Sequence, residues 1–166
     1  VISFNDYPGW YDEAVEDIPS IWRSYMEWAH AHFPGKPVLA SEFGASGIAG
    51  FHSGDRAKWS EDLHADIITA SMLAIYAAGF HGVAVWQFAD NRVDTSLFYQ
   101  DNPRASPLDN VSDADWVERM AIDYETTMSP FGSHLPLRPR SVNNKGLLSL
   151  DRTYRKKAFF AARAAF

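Results

Sequence analysis

The sequence predicts an α/β fold in which helices cover a parallel sheet. Three short apolar runs, beginning at Val1, Val38 and Val83, alternate with helical patterns in the order β-α-β-α-β, followed by a long loop and a last helix. The runs are too continuously apolar for half-exposed strands, which is typical of parallel sheets. Their starts are separated by 37 and 45 residues, as expected of a repeated βα unit with loops of variable length.

The first unit is a strand followed by an amphipathic helix. Residues 1–4 are apolar apart from Ser3, and the turn-forming residues 5–9 that follow them indicate the end of a buried strand. From Ile18 the apolar residues follow helical spacing as far as residue 33, and Pro19 suits the first turn of such a helix. The sequence therefore predicts a helix over residues 18–33.

The second and third strands are separated by a long apolar helix. Residues 37–41 form the second predicted strand, which leads into Glu42. Ser60 offers an N-cap for a helix that extends to Gly79, and its nearly all-round apolarity predicts burial on several sides. Residues 82–88 form the third predicted strand.

A long insertion separates the third strand from the last helix. Residues 92–140 are rich in Asp, Asn, Pro and Ser and exceed the usual length of a βα loop, which is typical of functional loops. The last helix is predicted over about residues 155–164. A complete (β/α)₈ barrel takes roughly 250 residues, so three βα units are less than half of one. Because the chain also opens inside an apolar run, we expect it to be a piece of a longer protein.

Composition and charge exclude several classes of partner. The 166 residues include 15 Lys and Arg against 21 Asp and Glu, and the net charge is -6. With no basic run, this balance argues against a nucleic-acid binder. No apolar stretch approaches the roughly 20 residues of a membrane span. We therefore expect a soluble protein without nucleic-acid or membrane partners.

The residue types also restrict the chemistry. The chain contains no cysteine, which excludes disulfides and thiolate sites and leaves the compartment open. Its six histidines lack the spacing of metal ligands, and no glycine-rich phosphate loop follows a strand. The sequence thus predicts neither a metal nor a cofactor.

The candidate functional residues follow the predicted strands, where barrel enzymes carry their catalytic groups. Glu42 would be unfavourable at the end of a buried strand unless it had partners or a catalytic task, although it could also cap a helix or pair with an arginine. Trp86 could stack on a sugar or belong to the core. Tyr7, Trp10 and Tyr11 share one loop and could line the same site or serve only as packing.

Five blocks of sequence, at residues 5–11, 41–44, 48–52, 85–90 and 143–146, form an ordered set of motifs. This set resembles that of the β-glucuronidases of glycoside hydrolase family 2. Residues 5–11 resemble the Asn-x-Tyr-x-x-Trp-Tyr stretch of that family, residues 41–44 its nucleophile segment, and residues 48–52 the loop that follows. Residues 85–90 resemble its Val-Trp-Asn-Phe-Ala-Asp strand, and residues 143–146 its closing Asn-x-Lys-Gly motif.

The resemblance implies a role for individual residues. Glu42 matches the catalytic nucleophile, and Asn143 and Lys145 match the pair that holds the carboxylate of glucuronic acid. Tyr7 and Tyr11 match active-site tyrosines. The implied substrate-binding residues are Asn5, Tyr7, Tyr11, Trp86, Asn143 and Lys145.

The resemblance also implies a fold and a reaction. The chain is similar to the C-terminal part of a (β/α)₈ TIM barrel, about its last three βα units, in an enzyme that cleaves terminal β-D-glucuronides with retention through a covalent intermediate on Glu42. The acid/base of the family is an Asn-Glu pair, which occurs nowhere in this sequence. We therefore expect that residue in the upstream part of the same barrel. The family also suggests a homo-oligomer.

Other interpretations of the same motifs stay open. A family 2 β-galactosidase, β-galacturonidase or β-mannosidase would also be compatible with the nucleophile strand and Trp86, and only the Asn-x-Lys motif discriminates between them. A non-catalytic carbohydrate-binding fragment is the alternative from another class, because the chain on its own does not supply two catalytic carboxylates.

Overall fold

A computed structural model describes residues 1–11, 13–92 and 142–166. Val1–Asn91 and Asn144–Phe166 form one compact unit. The second unit is Arg92–Asn143, of which only the ends are described. The predicted insertion over residues 92–140 therefore lies outside the described residues, apart from residue 92.

Three parallel strands form the sheet, as predicted. These are β1 (Ile2–Asn5), β2 (Val38–Phe43) and β3 (Gly82–Val85), in the spatial order β1-β2-β3. The register places Ile2 opposite Val38 and Asn5 opposite Glu42, with an irregularity just before Asn5. Because the strands are parallel, their carboxyl ends share one edge of the sheet.

The helices begin and end close to the predicted residues. A 3₁₀ turn (Val15–Asp17) precedes α1 (Ile18–His32), and the later helices are α2 (Glu61–Ala78) and α3 (Lys157–Ala165). The predicted N-cap is confirmed, because Ser60 accepts a hydrogen bond from the backbone N–H of Leu63 at 3.1 Å. Among the described helices, none combines the length and apolar composition that a membrane span requires.

The third strand is shorter than predicted. It ends at Val85, and residues 86–88 continue outside it. The reason is a change of hydrogen-bond partner: the N–H of Gln87 donates to the Lys145 carbonyl at 2.9 Å, and the Gln87 carbonyl accepts from Leu147 at 2.9 Å. Two further strands of two residues each are β4 (Asn91–Arg92) and β5 (Val142–Asn143).

The expectation of continuously buried strands is wrong for β1 and β3. β1 alternates between half-buried and exposed residues, and no residue of β3 is fully buried. Both strands pair with β2 alone among the described residues, so each has one unpaired edge. β2 lies between them, and its residues Val38, Ala40 and Phe43 are buried.

The core lies between the sheet and the helices. Trp22 of α1 packs edge to face against Phe43 of β2, with ring centroids 6.4 Å apart. α2 contacts both α1 and α3, and its residues Ile67 and Ile68 are fully buried. The prediction that α2 is buried on several sides is therefore confirmed, although Tyr76 near its end is 85% exposed.

Candidate active site

Glu42 lies on β2, one residue before the strand ends, whereas the sequence predicted it just after the strand. Its side chain is half-buried. Its carbonyl accepts a hydrogen bond from the N–H of Asp6 at 3.1 Å, and its Oε2 accepts from the hydroxyl of Tyr7 at 2.6 Å. The loop after β1 is thus joined to the carboxylate on β2.

Tyr7 is a dedicated donor to Glu42. Burial, together with the neighbouring Glu42 carboxylate, raises the pKa of the Tyr7 hydroxyl well above its usual range. The phenol therefore keeps its proton at neutral pH and donates it in a charge-assisted hydrogen bond.

Asp6 and Tyr25 fix the backbone of Tyr7. Asp6 Oδ1 accepts from the N–H of Tyr7 at 2.8 Å, and its Oδ2 accepts from the hydroxyl of Tyr25 at 2.6 Å. Burial and the hydrogen bond to Asp6 raise the pKa of Tyr25 to about 12. Tyr25 was not predicted as a site residue, because its place among the apolar positions of α1 gives no sign of a polar partner 19 residues away.

Lys145 lies among three aromatic rings. Its ammonium nitrogen is 4.1 Å from the centroid of Tyr7, 5.0 Å from that of Trp10 and 5.1 Å from that of Tyr11. The rings of Tyr7 and Tyr11 pack edge to face at 5.9 Å. Lys145 is only 4% exposed, so the attraction between its charge and the ring faces acts in a largely desolvated setting.

Two other predicted residues lie near the same ends of the strands. Trp86 follows β3 directly, its N–H donates to the Phe43 carbonyl at 2.8 Å, and its side chain is 40% exposed. The peptide bond that follows Trp86 is cis. Asn5 is the last residue of β1, and its Oδ1 accepts from the Ser41 hydroxyl at 2.5 Å.

Asn143 is the remaining predicted site residue. It lies on β5 at the end of the second unit, whereas Glu42, Tyr7 and Lys145 belong to the first unit. Its predicted role therefore stays a prediction.

His64 of α2 is buried, and the charges of Lys156 and Lys145 act on it. It is fully buried, and neither ring nitrogen has a hydrogen-bond partner among the described residues. Burial, reinforced by the positive charges of Lys156 and Lys145, lowers the pKa of His64 well below its usual range. The imidazole is therefore uncharged at neutral pH.

In the described part of the chain, no group of three or more His, Asp or Glu residues could hold a metal ion.

Comparisons with known proteins find one group of enzymes to which the chain is similar. The chain is 30% identical over 94 residues to a β-glucuronidase of Streptococcus agalactiae, a match that covers 54% of this chain and 16% of that protein. It is 32% identical over 96 residues to a β-glucuronidase of Paenibacillus borealis, covering 54% and 15%. No protein-family model matches the chain.

A solved structure is similar over nearly the whole chain. This is a family 2 β-galacturonidase from Eisenbergiella tayi, crystallised with galacturonate, with a TM-score of 0.69 and 26% identity. The similarity covers 99% of this chain and 23% of that one. The chain thus spans less than a quarter of each of these relatives. The resemblance to family 2 β-glucuronidases that the motifs indicated is confirmed.

Proposed function

We propose that this chain is the C-terminal part of the (β/α)₈ barrel of a family 2 glycoside hydrolase, and that the complete protein cleaves terminal β-D-glucuronides. The three parallel strands with helices between them support a barrel segment, as does the similarity over 99% of the chain to a family 2 enzyme. In this proposal residues 1–166 are one portion of the catalytic domain, and residues 92–140 are an insertion in it.

A single observation carries the proposal. The ring of Tyr7 contacts both charged groups that the reaction needs, because its hydroxyl donates to Glu42 at 2.6 Å and its face lies 4.1 Å from the Lys145 ammonium. Tyr7 thereby contacts both Glu42, the carboxylate that would attack the sugar, and Lys145, the cation that would bind the sugar's own carboxylate. This arrangement suits a substrate with a reacting carbon and a negative charge a few ångströms apart.

Glu42 is the nucleophile in this mechanism. Its ionised carboxylate attacks the anomeric carbon and forms a glycosyl ester while the leaving group departs with a proton, and water then cleaves the ester with a second inversion. Retention requires a second carboxyl group about 5 Å away as acid and then base. That group belongs to the upstream part of the barrel, whose strands would also cover the open edges of β1 and β3.

Lys145 is the main receptor for the uronate. A buried ammonium beside aromatic rings attracts a carboxylate strongly because little water screens the two charges. Asn143 would add an amide donor, and Tyr11 and Asn5 would contact the sugar hydroxyls. Trp86, 40% exposed, would offer its apolar face to the sugar ring.

The substitution Lys145→Ala in the full-length protein tests the substrate class. We expect kcat/KM for 4-nitrophenyl β-D-glucuronide to fall by about a hundredfold, the range for losing a charge-assisted contact. Hydrolysis of the matching β-D-glucoside, which carries a CH2OH group in place of the carboxylate, should change far less. Lys36→Ala, which removes an exposed lysine outside the site, is the control. Equal losses on both substrates would refute the uronate assignment.

A β-galacturonide is the second candidate substrate. The similar structure with galacturonate is named a β-galacturonidase, and the two uronides share the carboxylate that Lys145 would bind. They differ in the configuration of one ring hydroxyl, at C4. The ratio of kcat/KM for the 4-nitrophenyl glycosides of the two uronic acids therefore decides between them.

The family also suggests a homo-oligomer, for which the mass of the protein in solution is the measurement.

A further inference from the structure

The peptide groups on both sides of Lys145 are held by one buried ion pair. Asp90 Oδ1 accepts a hydrogen bond from the N–H of Gly146 at 2.8 Å and another from the Lys156 ammonium at 2.6 Å. Lys156 also donates to the carbonyl of Asn144 at 3.1 Å. The side chains of Lys156 and Asp90 are 0% and 5% exposed. We call these two residues the clamp.

A buried pair of this kind is sensitive to the loss of either partner. Burial raises the pKa of the Asp90 carboxyl and lowers the pKa of the Lys156 ammonium, and the contact between them opposes both changes. Because a buried charge without its partner is strongly unfavourable, the two groups hold each other in place.

The clamp joins segments around Lys145 that lie far apart in the sequence. Lys156 is the last residue before α3, and Asp90 follows β3. The Asn144 carbonyl also accepts from the N–H of Gly47 at 3.0 Å, a residue in the loop after the strand of Glu42. The backbone of Lys145 is therefore tied to the segment that carries the nucleophile.

The close approach at Gly146 makes this tie specific. A Cβ atom at that position would lie 2.0 Å from the backbone nitrogen of Asp90. Only glycine allows the two backbones to come so near, and this approach brings the Gly146 N–H within hydrogen-bond distance of the Asp90 carboxylate. The segment has little freedom to move Lys145 relative to its neighbours.

We propose that Asp90 and Lys156 are positioning residues that determine the preference for sugars carrying a carboxylate. They contact no reacting group themselves. They fix the backbone of Lys145, and the aromatic rings that surround its ammonium then hold the charge where the carboxylate of a uronide would bind. This inference rests on the proposed function, because it assigns to the clamp the specificity of the same site.

The test uses Lys156→Met in the full-length protein, with Lys157→Met as the matched control. Lys157 is the next residue, but its ammonium contacts Asp62 on the surface. For Lys156→Met we expect KM for 4-nitrophenyl β-D-glucuronide to rise by about tenfold or more through misplacement of Lys145, with a much smaller change in kcat. The matching β-D-glucoside, identical except for the carboxylate, should be hydrolysed as by the wild type.

A second variant guards against misfolding. Asp90→Asn combined with Lys156→Met leaves no unpaired buried charge and keeps an acceptor for the Gly146 N–H. We expect the same rise in KM together with faster amide hydrogen exchange at Gly146, because the neutral amide oxygen of the Asn is a weaker acceptor than the Asp90 carboxylate. If the double variant folds and its Gly146 amide exchanges faster, but it keeps the wild-type preference for the glucuronide, the positioning role of the clamp is refuted. The proposed function would then still stand. A wild-type protein that hydrolyses no glycoside overturns the proposed function, and the role of the clamp with it.

Discussion

Tyr7 joins the two charged groups of the site, so its hydroxyl and its ring have separate tasks. The hydroxyl donates to Glu42, whereas the ring faces Lys145. Removing the oxygen alone therefore separates the two effects.

The substitution Tyr7→Phe should reduce kcat while leaving the affinity for the uronate nearly intact. A hydrogen bond to a charged group contributes about 1.5–3 kcal/mol, so we expect kcat on the glucuronide to fall by about ten- to a hundredfold. KM should change little, because the ring beside Lys145 stays. Steady-state kinetics on the full-length protein measure both constants.

The control for this substitution is Tyr76→Phe, since Tyr76 is 85% exposed on α2. A Tyr7→Phe protein with wild-type kcat would show that the hydroxyl does not support the nucleophile.

At the residue scale, the sequence motifs predicted Glu42, Tyr7 and Lys145 because each stands in a short recognisable pattern. Tyr25 and the clamp were not predicted. Asp90 and Lys156 are 66 residues apart, and nothing local to either position specifies the other. A buried lysine such as Lys156 cannot be distinguished in sequence from its exposed neighbour Lys157.

At the element scale, the ends of β2 and β3 approach each other at Gly44. A Cβ atom there would lie 2.3 Å from the backbone oxygen of Trp86. Since that oxygen belongs to the backbone, no side-chain rotation relieves the contact. Gly44 thus sets the separation of the segments that carry Glu42 and Trp86.

Gly44→Ala should therefore destabilise the protein and disturb the site. We expect the free energy of unfolding to fall by about 1–3 kcal/mol, the range for an overpacked core. Gly54→Ala is the control, because nothing lies within 4 Å of a Cβ atom at that position. Urea unfolding, followed through tryptophan fluorescence, compares the two variants. Equal stability of the two would contradict the close approach.

The elements themselves were largely predictable, and their ends less so. Apolar periodicity and the Ser60 cap located the helices within a few residues. The end of β3 was not predictable, because Trp86 and Phe88 are as apolar as the strand before them, yet the backbones of Gln87 and Phe88 bond to residues 145–148. A local sequence pattern does not specify which distant backbone group a residue will form a hydrogen bond with.

At the scale of the whole molecule, the proposed retaining mechanism needs two carboxylates, and Glu42 would be one of them. β1 and β3 each pair with β2 alone in the described residues, and the similar family 2 structure is more than four times as long, since the chain covers 23% of it. We expect the remaining strands and the acid/base in the rest of the full-length protein. The α/β fold was predictable from the alternation of apolar runs and helical patterns, and the similarity to family 2 β-glucuronidases from the ordered motifs, whereas no pattern in these residues supplies a second catalytic carboxylate.

The most direct test of the central claim is to trap the covalent intermediate. The full-length protein is treated with 2-deoxy-2-fluoro-β-D-glucuronosyl fluoride, which forms the glycosyl enzyme and hydrolyses slowly, and the labelled peptide is sequenced by mass spectrometry. We predict a single label on Glu42, and none in the Glu42→Gln protein. A label on any other carboxylate, or an active protein that acquires none, would contradict the assignment of Glu42 as the nucleophile.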